Sequence, residues 1–310
     1  MREALRSGYS LGKLRADVLA GLVVGIVALP LSMALAIATG MPPQHGLFTA
    51  IVAGSLTAVL GGSRVQVSGP TAAFVVILLP IVGKHGPGGL MLATMMAGGL
   101  LFLMGLARLG RWIQFVPYPV TTGFTAGIGV VIATGQVKDF LGLAGVERRE
   151  HFHEVVEQLG RRIDTVHLAD AGTGVATLPL LVYLPRAVPR IPAPLLAVGG
   201  MAVVAWLVHR FVPGFEVVTI ASRFSYLVDG VATAGIPPWP PSFVWPWQQP
   251  GANGAPLGLD WITIKELMPS AVAIALLGAI ESLLSAVASD AMSGHKHDPD
   301  AELLAQGAAT

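Results

Sequence analysis

In the stretch VQVSGPTAAFVVILLP, Val65 to Pro80, the residues Ser68, Gly69, Pro70 and Thr71 stand at the head of an apolar run. Pro70 suits the first turn of a helix, where its missing N–H removes nothing. Gly69 lets the backbone turn sharply. The amides of Thr71, Ala72 and Ala73 are then free N–H groups at the positive end of a helix, and such an end binds anions. A second stretch, GAIESLLSAVASD, sets Glu281 in apolar sequence with Ser285 four residues on, so the two share one helix face. An ionised carboxylate inside a bilayer is expensive; it must face a cavity, bind a cation or hold a proton. Plain structural readings stand beside both. Residues 68–71 could form an interfacial loop before an ordinary span kinked at Pro80, and Glu281 could be paired with a buried donor for packing alone.

Other chemistry-bearing residues are weaker signals. His295-Lys296-His297-Asp298 has two histidines in polar sequence and is read as a solvated loop. Asp290 is read as an interfacial residue at the end of its span. His151-Phe152-His153-Glu154 lacks the spacing of a zinc protease. No Walker A pattern, dinucleotide fingerprint or G-x-S-x-G elbow is present, so the sequence does not point to an enzyme.

The elements that position these groups follow from composition. Of the 310 residues, 53% are hydrophobic and 12% charged, against about 25% charged in soluble domains. So little charge cannot cover a soluble surface, and lipid is the expected solvent. With no cysteine, disulfides and thiolate chemistry are excluded. The net charge of +1 gives no reason to expect a nucleic-acid partner. A hydropathy window of about 19 residues marks candidate spans near 17–39, 46–62, 65–83, 89–107, 117–138, 168–184, 192–212 and 263–290. The third is split in character. A helix from Thr71 ending at Leu79, before Pro80, would be roughly 14 Å long, about half of a ~30 Å hydrocarbon core. Broken helices of this kind recur at the midplane sites of secondary transporters. Gly21-xxx-Gly25 and Gly123-xxx-Gly127 are read as packing contacts. Long loops are expected from Lys138 to about His167 and from about Pro213 to Trp261. The second contains PPWPPSFVWPW, which cannot form a regular helix.

Loop charge sets the orientation. With the N-terminus inside, the short inner loops carry Arg64, Arg108, Arg111, Arg186 and Arg190, and the short outer loops carry Lys84. The expected protein is an integral protein of the cell (inner) membrane with a cytoplasmic N-terminus.

The segments PPQHGLFTAIVAGSLTAVLGGSRVQVSGPTAAF, VPYPVTTGFTAGIGVVIATGQVKDFLGL, LPRAVPRIPAPLLAV and AIESLLSAVASDAMSGHKHDPDAELLAQG, in this order, resemble the SulP (sulfate permease) family of anion transporters. The resemblance implies an all-α polytopic fold of two inverted seven-span repeats, here the first repeat and one further span of the second. It divides the chain into residues 1–138, core spans 1–4 and the start of gate span 5; residues 139–262, gate spans 6–7 with their outer loops; and residues 263–310, core span 8 and the start of span 9. By this resemblance the anion lies between the facing ends of half-helices 3 and 10. Ser68, Gly69, Thr71 and Ala72 would belong to the first end. Leu31, Ser32 and Leu35, just after Pro30, would line the pocket. Glu281 would be the ion-coupling residue, with Ser285 leaving sodium open beside protons.

The implied function is secondary active transport of a small anion such as sulfate, bicarbonate or a dicarboxylate by an elevator mechanism. No cofactor is expected beyond the coupling ion, H+ or Na+. A homodimer in lipid is expected of the full-length protein. Span 10, the remaining spans and the STAS domain of the family are not in this sequence, which is therefore expected to be a fragment unable to transport alone. A nucleobase permease of the same fold and a non-transporting membrane partner or scaffold are the rival readings. The first would need polar or acidic side chains to read base edges, and span 3 contains no such acid.

Overall fold

The computed structural model describes residues 9–63, 65–67, 69, 71–113, 118–146, 152–188, 191–228 and 230–310. These form mainly helices, labelled here as α1 (Leu11–Thr39), α2 (Pro43–Leu60), α3 (Val75–Leu106), α4 (Tyr118–Leu141), α5 (Phe152–Arg161), α6 (Leu168–Ala187), α7 (Ala193–Phe211), α8 (Trp261–Ser293) and α9 (Pro299–Ala309). A single turn, Ala72–Phe74, leads directly into α3. Five stretches are long and apolar enough to cross a membrane: Leu11–Thr39, Ala72–Leu106, Leu168–Ala187, Ala193–Phe211 and Trp261–Ser293. The second and fifth expected spans lie at α2 and α4. The third and fourth overlap Ala72–Leu106, on either side of a break at Gly86, where φ is 70°; helix begins at Ala72, not at residue 65. The half-helix therefore does not end before Pro80; that expectation is corrected. Pro80 lies inside the helix, whose neighbouring turns tolerate the missing donor.

The chain divides into two compact units: Met1–Arg15, Leu31–Ile128 and Trp239–Thr310 in the first, Ala16–Pro30 and Gly129–Pro238 in the second. The first is built around α3 and α8. Leu92, Ala93, Ala97 and Leu101 of α3 are buried with Leu267, Ala271, Ile274 and Ala279 of α8, and Leu303 of α9 joins them. Many of these residues are small, and small residues let helices approach closely where lipid offers no hydrophobic drive for association. Glycine takes this furthest at α9. A Cβ on Gly307 would lie 2.5 Å from the Phe102 amide nitrogen, and one on Gly105 2.8 Å from Leu304. Gly46 of α2 lies so close to α1 that a Cβ there would stand 2.0 Å from the Ser32 carbonyl oxygen. The glycine pairs singled out in the sequence behave differently: Gly21, Gly25, Gly123 and Gly127 have open space at their Cβ positions. Close packing is carried by Gly46, Gly105 and Gly307 instead.

The proline- and tryptophan-rich segment forms no α-helix, as its composition requires. Part of it folds back on the break in α3. The Gly88 amide donates to the Pro250 carbonyl at 2.9 Å, and a Cβ on Gly86 would stand 2.4 Å from the Gly251 carbonyl carbon. Trp245 and Trp247 stack nearly parallel, 11° apart, with ring centres 4.8 Å apart.

The second unit contains two features that the sequence reading did not anticipate. Helix α5 lies in the expected loop after Lys138 and buries Leu159 against Leu143 and Val146. Ser225–Val228 and Val231–Ala234 form an antiparallel hairpin. Within this unit Arg223 pairs with Asp139 at 2.8 Å. The Val218 amide donates to Asp170 at 2.9 Å, and the same carboxyl group lies 2.8 Å from His167 Nδ1.

Candidate functional site

The approach to α3 begins in extended backbone. Thr71 has φ −112° and ψ 149°, and the chain then turns through Ala72–Phe74. The Phe74 amide bonds to the Thr71 carbonyl at 3.3 Å. The amides of Ala72 and Ala73, at the head of the turn, have no preceding helical carbonyl to reach. A side chain at the cap position commonly bonds these orphan donors. Thr71 does not cap the turn. Its hydroxyl instead donates to a carboxyl oxygen of Glu281 on α8.

Helix α8 is set by clear end signals. Asp260 caps its start by accepting from the Thr263 amide at 2.9 Å, and Gly294 closes it with φ 72°. Gly278, one turn before Glu281, gives room for the Phe74 ring. A Cβ there would meet Phe74 at 3.6 Å and Leu101 at 3.7 Å. The Gln66 amide Nε2 donates to the Ser282 carbonyl at 3.2 Å. The head of the half-helix thus meets α8 at residues 278, 281 and 282. An orphan-amide helix end and a half-buried carboxyl group share one place.

The other candidate residues are distributed more widely. Gly69 is exposed at the approach to the turn, while Ser68 and Pro70 lie outside the described residues. Leu31 is exposed, Leu35 half-buried, and Ser32 only 1% exposed. The Ser32 hydroxyl has no hydrogen-bond partner among the described residues. Ser285 is exposed on α8, one turn beyond Glu281. Arg64 and Arg190 of the inner-loop reading and His151 lie outside the described residues. His153 and Glu154 belong to α5.

The His295–Asp298 segment is an exposed loop, as expected, in which His297 alone is partly buried. His297 Nδ1 lies 2.7 Å from Asp290, and the His297 amide donates to the same carboxyl oxygen at 3.0 Å. The reason is geometric: Gly294 ends α8 in the left-handed conformation and turns the chain back along its last turn. Among the described residues, no three His, Asp or Glu side chains form a group that could hold a metal ion.

Residues 14–310 match the sulfate permease family, and the chain belongs to that family. It is 42% identical over 306 residues to the putative sulfate transporter YvdB of Bacillus subtilis, covering 97% of this chain and 52% of that protein. It is 26% identical to the bicarbonate transporter BicA of Picosynechococcus, covering 95% of this chain and 49% of that one. The chain thus spans about half the length of these relatives. Its fold is that of the transmembrane domain of a cyanobacterial bicarbonate transporter BicA, with a TM-score of 0.77 at 23% identity over 96% of this chain and 70% of that one. SLC26A9 shares the fold, with a TM-score of 0.72 at 16% identity over 99% of this chain and 48% of that one. The architecture is that of the first part of a seven-plus-seven inverted-repeat membrane domain.

Proposed function

We propose that the chain supplies one half of the binding site of a secondary active anion transporter. The substrate is a small anion of the sulfate, bicarbonate or dicarboxylate class. The hydrogen bond between Thr71 and Glu281 carries this reading, because it sets a carboxyl group beside an orphan-amide helix end. Such an end favours a negative charge. An anion held there and an ionised Glu281 would repel one another, strongly so where water is scarce. A proton or Na+ on the carboxyl group removes that repulsion. Anion and cation are therefore bound more readily together than apart, which is the requirement for symport.

In this reading Ser68, Gly69, Thr71 and Ala72 form the anion end, Leu31, Ser32 and Leu35 line the pocket, and Glu281 with Ser285 holds the coupling ion. The first unit is the body that moves in an elevator step. The arginines at 64, 108, 111, 186 and 190 set the N-terminus on the cytoplasmic side of the cell membrane. The full-length protein works as a homodimer.

Support comes from relatives named as sulfate and bicarbonate transporters. The test is uptake of labelled sulfate and of bicarbonate into proteoliposomes containing the natural full-length protein, with imposed pH or Na+ gradients. Accumulation driven by either gradient supports the reading. Current or uptake indifferent to both gradients would replace it with an uncoupled channel, and an absence of uptake for every anion of the class would remove transport.

A further inference from the structure

Glu302, on α9, is only 2% exposed and lies 20 residues beyond Ser282 in sequence. A buried carboxyl group is tolerated where its oxygens are hydrogen-bonded. Both oxygens of Glu302 are used. One accepts from the Gly62 amide at 3.0 Å, just beyond the end of α2. The other accepts from the Ser282 hydroxyl at 3.2 Å, on the residue that follows Glu281. Gly62 is held a second time, because the Asp298 amide donates to its carbonyl at 3.1 Å. The fit allows no side chain there: a Cβ on Gly62 would lie 2.2 Å from the Asp298 carbonyl oxygen. Further along the same connector, Gln66 reaches the Ser282 carbonyl and Thr71 reaches Glu281.

We propose that Glu302 is a positioning residue that clamps the connector between α2 and the half-helix to α8, and so sets the register of Thr71 against Glu281. The described residues of the connector, 61–63, 65–67, 69 and 71, have no regular structure, and side-chain bonds hold them at Gly62, Gln66 and Thr71. Glu302 supplies the bond at its beginning, Gln66 the bond midway and Thr71 the bond at its end. Ser282 is the shared anchor: its carbonyl holds Gln66 and its hydroxyl holds Glu302. Removing the Glu302 carboxyl group leaves the Gly62 amide without this acceptor and the Asp298 amide as the remaining tie at that residue, which loosens the connector there. The half-helix end then samples positions in which its amides and Glu281 no longer face one occupant. The role rests on hydrogen-bond geometry; a glutamine, with one acceptor oxygen and one amide donor, can serve Gly62 and Ser282 together because the serine hydroxyl also accepts.

This inference rests on the transport reading above, and its experiment separates the two. Natural full-length protein and its Glu302→Ala, Glu302→Gln and Ser282→Ala variants are compared by amide hydrogen exchange in detergent and by sulfate uptake in proteoliposomes. In Glu302→Ala, exchange over residues 61–74 accelerates at least about tenfold, and KM for sulfate rises about tenfold with kcat within about twofold. Exchange in the buried parts of α3 and α8 is unchanged, and Glu302→Gln restores both readouts. Ser282→Ala, which removes one of the two links, gives a smaller change of the same kind and replaces Glu302→Ala if that variant does not insert. Unchanged exchange over residues 61–74 overturns the clamp. Uniform acceleration across α3 and α8 also overturns it, since it marks general loosening. A glutamine variant as impaired as the alanine would show that charge, and not bond geometry, is what matters, and would overturn it too. If wild-type protein takes up no sulfate, the exchange comparison still decides the clamp, and it is the transport reading that fails.

Discussion

Thr71 and Glu281 stand 210 residues apart in the chain and share a hydrogen bond, the threonine hydroxyl donating to the carboxyl group. The bond joins the head of a broken helix to the middle of a long one. Because Thr71 spends its hydroxyl there, the amides at the head of the turn stay open to another acceptor.

Replacing Thr71 tests that arrangement. Thr71→Ser keeps the hydroxyl, and uptake stays within about threefold of wild type. Thr71→Val keeps the shape and removes the donor; a lost hydrogen bond to a partly buried carboxyl group lowers kcat/KM for the anion about tenfold or more. Equal kinetics for the serine and valine variants in proteoliposomes would show that the bond has no part in transport.

Glu281→Gln retains an acceptor for Thr71 and removes the ionisable group. Binding of the anion survives, while accumulation driven by a pH or Na+ gradient is lost and only equilibration remains. Gradient-driven accumulation that persists at the wild-type level in this variant would remove Glu281 from coupling.

Gly46→Ala tests the contact between α1 and α2. Its Cβ would stand 2.0 Å from the Ser32 carbonyl oxygen, a backbone group that cannot simply rotate away. Overpacking of this kind destabilises by about 1–3 kcal/mol or more, which outweighs the ~1 kcal/mol that alanine gains over glycine in a helix. Thermal melting in detergent shifts down for Gly46→Ala. Gly25→Ala, with open space around it, leaves the melting temperature level or raises it. The same ordering should appear in expression level, and a reversal of the two variants would contradict the packing.

Asp260 gives a pH prediction. The hydrogen bonds from Thr263, side chain first and backbone second, hold its carboxyl group below the ordinary aspartate range. A carboxyl group with a lower pKa in the folded state contributes stability above its unfolded pKa, and that contribution disappears as pH falls through the folded value. The start of α8 should therefore fray on acidification below about pH 4, where free aspartate titrates. Hydrogen exchange at residues 261–265 reports it. Asp260→Ala should show the faster exchange already at neutral pH, and identical pH dependence in the two proteins would exclude the cap as the cause.

Much of this fold was legible in the sequence because bilayer spans are written as apolar runs. The neighbourhood of the half-helix head is marked by glycine and proline at 69 and 70, but Thr71 is extended and the turn opens at Ala72, one residue later than expected; Pro70 lies outside the described residues. Pro80 does not stop the helix, which runs through it. The break falls at Gly86, between the expected spans 65–83 and 89–107 and beside Pro87, a local breaker; the close approach of Gly251 to Gly86 is the part with no local mark. Helix α5 did have a mark, since Phe152, Val155, Val156 and Leu159 repeat with helical spacing, but the charges around them drew it into a loop assignment. Glu302 was hidden by ambiguity. An acid in the first turn of a helix needs no explanation beyond the helix dipole, and its partner Gly62 lies 240 residues away.

The bonds from Thr71, Gln66 and Glu302 tie the approach to α3, the middle of α8 and the start of α9 to one another within a single compact unit. If the unit moves as one body, the membrane voltage does work on it, about 2.3 kcal/mol per elementary charge moved across 100 mV. Under the proposed function that work depends on the summed charge of the bound anion and the Glu281 carboxyl group, so the electrical sensitivity would be decided by whether the carboxyl group travels ionised or neutralised, as much as by the valence of the anion.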